Sequence, residues 1–300
     1  MKHPCGFLFV LIAVIPVTAK WNGPAWSDGS LTSWDGARIH YIEAGHVTTA
    51  ENRNPENQKR PLSVLFIPGY TMPAWIWEKQ IAHFSANHRV VAMDLRSQGE
   101  SSKTGEGDYP VSHARDIKSV VDQLKLAPVV LVGWSMAVTE IASYVDEFGT
   151  GSVAGIVLVD GVAGADASSD DLKNTVEFLK LLQTDRANQT SVFVRSIFGK
   201  PQPEEYLQRL ISASLMTPTD SAVAIALASF TTDNRPKLTA INKPTLIVGA
   251  TKRLLPAFQQ MQTAIPGAKL EFFEDAGHAL FVDESEKVNA LLGQFLSTLN

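Results

Sequence analysis

The chain has 300 residues, of which 45% are hydrophobic, and it carries a formal net charge of −5. This length and composition allow a large buried core, which predicts one α/β domain of about 250 residues or two smaller domains. The charges are dispersed and form no basic stripe, which argues against nucleic acid as a partner.

The first 19 residues are typical of a secretory signal peptide. Lys2 gives a positive start, residues 7–17 form an unbroken apolar run, and residues 17–19 are suited to cleavage. The run is shorter than the roughly 20 residues of a membrane-spanning helix. We therefore expect cleavage near Ala19 and no stable membrane span in the mature chain, with an uncleaved anchor as the alternative. The predicted location is secreted or periplasmic, and cleavage would remove Cys5, the one cysteine.

The remaining chain alternates between buried strands and helices. It opens with a predicted hairpin, residues 31–34 and 38–43, whose strands are joined by the turn signal Asp35-Gly36. Polar residues 48–61 predict a solvated loop. The alternation that follows predicts a mostly parallel twisted sheet with helices on both faces. The predicted strands are 63–67, 89–93, 129–133, 153–159, 245–248 and 270–273, and the predicted helices between and after them are 75–86, 111–125, 138–148 and 284–299.

Residues 161–235 contain helical patches but no clear strand. They predict a helical lid inserted between two late strands, over the carboxyl edge of the sheet where ligands bind in open α/β folds. The predicted core is then formed by residues 20–160 and 236–300. The helical patches of the insertion lie at 172–182, 204–216 and 221–230.

Ser135 stands between a predicted buried strand and a predicted helix, in the sequence Gly-Trp-Ser-Met-Ala. A serine on such a turn is the nucleophile elbow, in which a strained backbone exposes the hydroxyl near a helix N-terminus. Small residues are needed at Gly133 and Ala137, although glycine is usual at the second position. An ordinary buried serine in a strand-to-helix turn is the alternative, so the surrounding motifs must decide.

Four other motifs surround the residues 133–137. They are the Pro68-Gly69-Tyr70 turn, Asp94-Leu95-Arg96 with Gly99 and Ser101, residues 140–149 and Ala276-Gly277-His278. In their order and spacing, these motifs resemble the α/β-hydrolase family over nearly the whole mature chain, and within it the cofactor-free haloperoxidase and esterase branch. The resemblance implies the α/β-hydrolase fold.

The resemblance implies a role for several residues. Ser135 would be the nucleophile, and His278 the general base that a serine needs within hydrogen-bonding reach. The backbone N–H groups of Met136 and Tyr70 would form the oxyanion hole. Trp134, beside the nucleophile, is a candidate for substrate binding, with a packing role as the alternative.

The acid that orients the base is missing from its usual place. The family's usual position for an aspartate is Lys252, and residues 249–256 contain no carboxylate. Lysine cannot accept the imidazole N–H. Some relatives carry the acid one strand earlier, where Asp160 stands, although relatives with the ordinary acid often have an aspartate there as well. Asp275 is a further alternative.

Asp94, Arg96 and Gly99 are predicted to be structural, because an Asp-Arg pair after a strand typically pins a loop. Trp75 and Trp77 are expected to be apolar anchors near the cleft. No paired His or Cys spacing suggests a metal, and we expect no cofactor.

The sequence thus predicts an exported serine hydrolase that cleaves an ester-like substrate of small or medium size through an acyl-enzyme. Perhydrolysis by peroxide at the same site is a second activity of this branch. A non-catalytic ligand-binding protein on a hydrolase scaffold is the rival interpretation, supported by Lys252 and Ala137. The substrate and the oligomeric state are not predicted.

Overall fold

The computed structural model describes residues 26–45, 62–164 and 169–299. The predicted signal peptide at 1–19 and the predicted polar loop at 48–61 lie outside the described residues.

The sheet has eight strands in the order β1-β2-β4-β3-β5-β6-β7-β8. β2 pairs antiparallel with β1 and β4, and all other pairs are parallel. The prediction of a mostly parallel sheet is confirmed. The strands are β1 Ser27–Thr32, β2 Arg38–Ala44, β3 Ser63–Ile67, β4 Arg89–Met93, β5 Val129–Trp134, β6 Val153–Val159, β7 Thr245–Gly249 and β8 Lys269–Phe272.

The first strand was misplaced by the sequence prediction. β1 begins at Ser27 and ends at Thr32, and Trp34 lies in the turn with half of its surface exposed. The hairpin itself is present, and Gly36 adopts a φ of +94° in its turn. The sequence pattern predicted the hairpin correctly, but it placed the first strand at 31–34 because Trp34 is apolar.

Helices cover both faces of the sheet. Successive residues of a strand point to opposite faces of the sheet, so the strands contribute to two apolar cores. Phe66 and Val132 lie in one core, and Leu65 and Leu131 lie in the other. The helices are α1 Glu78–Phe84, α2 Pro110–Gln123, α3 Ala137–Phe148, α4 Ser169–Thr184, α5 Arg186–Ser196, α6 Glu204–Leu215, α7 Thr219–Thr231, α8 Leu255–Ala264, α9 Leu280–Asp283 and α10 Ser285–Ser297.

Asp94 and Arg96 hold the loops after β4, but they do so separately rather than as a pair. The buried Arg96 guanidinium donates to both carboxylate oxygens of Asp116 at 2.7 Å and to Asp35 at 2.7 Å. Asp94 instead accepts the Ala74 N–H at 2.6 Å, together with donors from two other segments. The structural role predicted for these residues is present, with partners that the sequence did not indicate.

Helices α4–α7 lie between β6 and β7 along the chain, in the region where a helical lid was predicted. Across the described ranges, no single helix is long and apolar enough to cross a membrane. The neighbouring helices α6 and α7 meet the length and composition criteria only as a pair bent by 92°.

Candidate active site

Ser135 occupies a strained turn between β5 and α3. Its φ is +58°, a value that residues with a side chain rarely adopt, and its N–H donates to the carbonyl of Val159 at 2.8 Å. A Cβ at Gly133 would lie 2.6 Å from Ile141 Cδ1 and 3.0 Å from the Ala137 carbonyl oxygen, so a side chain there would crowd the start of α3. The buried Ala137 is accommodated at the start of α3 while Ser135 keeps its strained backbone. The elbow therefore forms with alanine in place of the usual glycine.

His278 lies on the loop between β8 and α9 and meets Ser135 directly. Its Nε2 lies 2.8 Å from Ser135 Oγ, and its Nδ1 lies 2.7 Å from Asp160 Oδ2. Because a carboxylate accepts hydrogen bonds, Nδ1 carries the proton and Nε2 is left to accept from the serine hydroxyl. About a quarter of the His278 side chain is exposed, so solvent reaches the site.

Asp160 is fully buried at the end of β6 and is held by the neighbouring β7 loop. Its Oδ1 accepts the N–H groups of Ala250 at 2.6 Å and Thr251 at 2.9 Å, and the Thr251 hydroxyl donates to Oδ2. Burial by itself would raise the pKa of this carboxyl. The hydrogen bond and charge of His278, with the donors from the β7 loop, outweigh that effect and lower the pKa below its ordinary value of 3.8.

The structure thus brings Asp160 to His278 and leaves the other acid candidate aside. Asp275 is exposed to solvent, and so is Lys252 at the family's usual acid position. The loop after β7, where the resemblance placed the usual acid, supplies hydrogen-bond donors to Asp160 instead. Thr251 was missed by the sequence reasoning, because nothing in its local pattern distinguishes it from an ordinary loop threonine.

The two residues predicted to form the oxyanion hole, Tyr70 and Met136, belong to segments next to Ser135. A Cβ at Gly69 would lie 3.0 Å from Ser135 Cβ, which places the Gly69-Tyr70 turn against the elbow. Met136 begins the turn into α3 with helical dihedrals. In the part of the chain that the structure describes, neither the Tyr70 nor the Met136 N–H donates a hydrogen bond. The oxyanion-hole role of these two N–H groups stays a prediction.

Trp134 lies behind the site rather than along an open cleft. Only 1% of it is exposed, and its indole N–H donates to the backbone carbonyl of His278 at 2.9 Å. Its ring also packs against His278 and Phe281, with centroid separations of 5.1 and 5.0 Å. The packing alternative is therefore favoured over direct substrate binding. Trp77 is likewise buried and stacks on Phe281 at 3.9 Å, as expected of an apolar anchor.

The inserted helices reach the site through Tyr70. The Tyr70 hydroxyl donates to the carbonyl of Ala222 in α7 at 3.0 Å. Its ring meets Phe193 of α5 and Phe178 of α4 edge-on, at centroid separations of 5.6 and 6.2 Å. Burial raises the pKa of Tyr70 well above its usual range, so this side chain acts as a neutral donor.

Among residues 26–45, 62–164 and 169–299, no cluster of three or more His, Cys, Asp or Glu could hold a metal ion. The groups joined at the site are the Ser135 hydroxyl, the His278 imidazole and the buried Asp160 carboxylate.

A strained serine after the central strand of a mostly parallel sheet, joined to a histidine and a buried aspartate, defines an α/β protein of the hydrolase type. A model of the alpha/beta hydrolase family matches residues 64–291, and the chain belongs to that family. The predicted fold class and family are confirmed, and the prediction of a hydrolase is confirmed at the level of the family.

Similar proteins carry esterase and haloperoxidase names. A putative non-heme chloroperoxidase from Synechocystis sp. is 29% identical over 250 residues, which are 78% of this chain and 90% of that protein. The crystal structure of a bromoperoxidase from Bacillus anthracis has a TM-score of 0.81 at 23% identity and covers 90% of this chain and 100% of its own. An esterase from Exiguobacterium antarcticum has a TM-score of 0.79 at 23% identity and covers 89% of this chain and 98% of its own. At this level of identity the two structures establish the shared fold.

Proposed function

We propose that this protein is a serine hydrolase that cleaves a small or medium ester-like small molecule through an acyl-enzyme on Ser135. One observation carries the proposal: Ser135, His278 and Asp160 form a continuous hydrogen-bonded series with separations of 2.8 and 2.7 Å. A nucleophile, a base and an orienting acid in this order are the requirements for activating a serine hydroxyl.

In the first half-reaction, Ser135 Oγ attacks the ester carbonyl carbon while His278 Nε2 takes the hydroxyl proton. Asp160 keeps the imidazole in the tautomer that can accept this proton and stabilises the imidazolium that results. The carbonyl oxygen becomes negative and receives hydrogen bonds from the N–H groups of Tyr70 and Met136. When the C–O bond to the alcohol breaks, His278 gives its proton to the departing oxygen.

In the second half-reaction, a water molecule replaces the alcohol. His278 removes a proton from the water as its oxygen attacks the acyl carbon, and the carboxylic acid leaves when the proton returns to Ser135 Oγ. Hydrogen peroxide in place of water would give a peracid by the same steps. The haloperoxidase names of similar proteins favour testing this perhydrolysis as a second activity of the site.

The rival interpretation is a non-catalytic ligand-binding protein. The geometry of the site argues against both residues that support it, Lys252 and Ala137. Lys252 stands at the usual acid position, yet Asp160 is hydrogen-bonded to His278 from the adjacent strand. Ala137 stands where glycine is usual, yet Ser135 retains a φ of +58°. Both observations support a catalytic site over an inactive scaffold.

Two further parts of the proposal concern the protein's context. The inserted region 161–235 acts as a lid over the site, a role supported by the contacts of Tyr70 with α4, α5 and α7. The protein is exported to the periplasm or secreted, a location supported by the signal-peptide pattern of residues 1–19.

Hydrolysis of chromogenic acetate and butyrate esters tests the proposed activity. We expect the wild type to release the chromophore with saturation kinetics, and Ser135→Ala to reduce the rate to background. Peracid formation from acetate and peroxide is measured in the same preparations. Binding of the ester without turnover by the wild type would favour the ligand-binding interpretation instead.

A further inference from the structure

The loop that carries His278 is held on one side by the inserted helical region. The N–H of Ala279 donates to the carbonyl of Ile197 at 2.7 Å. Gly199 and Gly277 are in direct backbone contact. A Cβ at Gly199 would lie 2.4 Å from the Gly277 nitrogen, and a Cβ at Gly277 would lie 2.2 Å from the Gly199 nitrogen. The segment that follows α5 is therefore docked against the residues on either side of His278.

Asp283, the last residue of α9, joins these two segments. Its Oδ2 accepts the N–H of Gly277 at 2.8 Å and the N–H of Gly199 at 2.7 Å. Its Oδ1 lies 3.1 Å from Gln202 Nε2, a donor from the same inserted region. One carboxylate thus binds the residue before His278 and two residues that precede α6.

The main chain around His278 is consequently fixed at three successive residues. Asp283 holds the N–H of Gly277, the Trp134 indole holds the carbonyl of His278, and Ile197 holds the N–H of Ala279. The contact through Asp283 differs from the other two because a single carboxylate joins Gly277 to two residues of the inserted region, Gly199 and Gln202.

We propose that Asp283 is a positioning residue that couples docking of the 197–202 segment to the orientation of His278. This inference rests on the proposed function, because the orientation of His278 affects the rate only if His278 is the general base of a serine hydrolase. When the inserted segment moves away, Gly199 and Gln202 leave the carboxylate and the loop of the base loses part of its support. The position of the inserted region would in this way control the alignment of His278 with Ser135.

Three variants separate positioning from charge and from stability. Asp283→Ala removes every hydrogen bond of the carboxylate. Asp283→Asn removes the charge only, because its amide oxygen can accept from both glycine N–H groups and its amide N–H can donate to a rotated Gln202. Glu284→Ala is the matched control, since the Lys200–Glu284 ion pair at 2.6 Å joins the same two regions without touching Gly277.

We expect Asp283→Ala to lower kcat by about ten- to a hundredfold, since displacing a catalytic group by about 1 Å costs up to a hundredfold. KM should change by less than about threefold, and Asp283→Asn and Glu284→Ala should stay near the wild type on the same scale. A second readout is the downfield proton resonance of the His278–Asp160 hydrogen bond, assigned by its loss in His278→Ala. It should broaden or shift in Asp283→Ala and persist in the other two variants.

The proton resonance tests the positioning role even in a protein without esterase activity, so failure of the proposed function and failure of this inference can be told apart. A lower Tm in Asp283→Ala, with kcat and the resonance unchanged, would show a purely structural role and overturn the inference. Equal damage by Asp283→Asn would also overturn it, because charge and not alignment would then matter. If Asp283→Ala does not fold, Gly199→Ala tests the same docking, and an unchanged kcat and resonance there would be equally decisive against it.

Discussion

Substitution of Asp160 by asparagine should convert the proposed base into the wrong tautomer. The N–H groups of Ala250 and Thr251 point at the Oδ1 position, so the amide oxygen of asparagine will occupy it. The amide NH₂ then faces His278 Nδ1, which lies 2.7 Å from Oδ2 in the wild type. Because two donors cannot share a hydrogen bond, Nδ1 must become the acceptor and Nε2 must carry the proton toward Ser135.

An imidazole protonated at Nε2 cannot accept the serine proton, so the effect falls on kcat. We expect a loss of about 10⁴-fold, the size known for this change in a serine-histidine-aspartate site, which corresponds to about 5 kcal/mol of transition-state stabilisation. The assay is steady-state hydrolysis of a chromogenic acetate ester, with Tm measured in parallel to exclude unfolding. Asp275→Asn is the matched control, since the exposed Asp275 should leave kcat unchanged. An Asp160→Asn enzyme within threefold of the wild-type kcat would refute the assignment of the acid.

Two other predictions concern Trp134 and acidic pH. Trp134→Phe keeps an aromatic side chain but is smaller and loses the 2.9 Å hydrogen bond to the His278 carbonyl, so the free energy of unfolding should fall by more than the roughly 1 kcal/mol of the hydrogen bond, and kcat by less than about tenfold. The ratio of acetate to butyrate hydrolysis should be unchanged, and an altered ratio would show that Trp134 lines the acyl pocket after all. The pKa of folded Asp160 lies below its ordinary value of 3.8, so its ionisation stabilises the fold above pH 3.8 and this stabilisation is lost as the pH falls through the folded pKa. The difference in Tm between wild type and Asp160→Asn should therefore shrink below pH 3.8, and a difference independent of pH would contradict the lowered pKa.

The order of motifs was sufficient to predict the sheet and to pair Ser135 with His278. Apolar strands ending in glycine or a polar residue mark the carboxyl edge of a parallel sheet, where residues distant in the chain meet. The acid was harder to predict because β6 and β7 are adjacent parallel strands, and the loops after both of them lie near His278. Whether Asp160 or the loop after β7 reaches His278 depends on side-chain directions at φ values such as the +42° of Asp160, which no local pattern encodes.

For Trp134, the strand pattern favours the packing alternative once β5 is given its full length. The predicted strand stopped at Gly133, whereas β5 continues through Trp134. With the longer strand, the two-residue period places Trp134 on the same face as Val130 and Val132, and all three indeed belong to one apolar core. Its hydrogen bond to the His278 loop then depends on tertiary packing alone.

Helix α5 and the role of Asp283 could not be recognised from the sequence. Residues 186–196 are largely polar or β-branched. Only two of them, Thr190 and Val194, are buried, so the sequence shows little of the apolar periodicity that marks a helix. Asp283 acts through the backbone N–H groups of two glycines that are 78 residues apart in the chain. Contacts of this kind arise from the docking of the inserted region and leave no local signature.

The central claim is that Ser135 is an activated nucleophile. The most direct measurement is labelling of the folded protein at neutral pH with a fluorophosphonate, followed by mass spectrometry of its peptides. The account predicts stoichiometric label on Ser135, slow labelling of Asp160→Asn and no label on Ser135→Ala. A wild-type protein that remains unlabelled, or that is labelled at another residue, would contradict it.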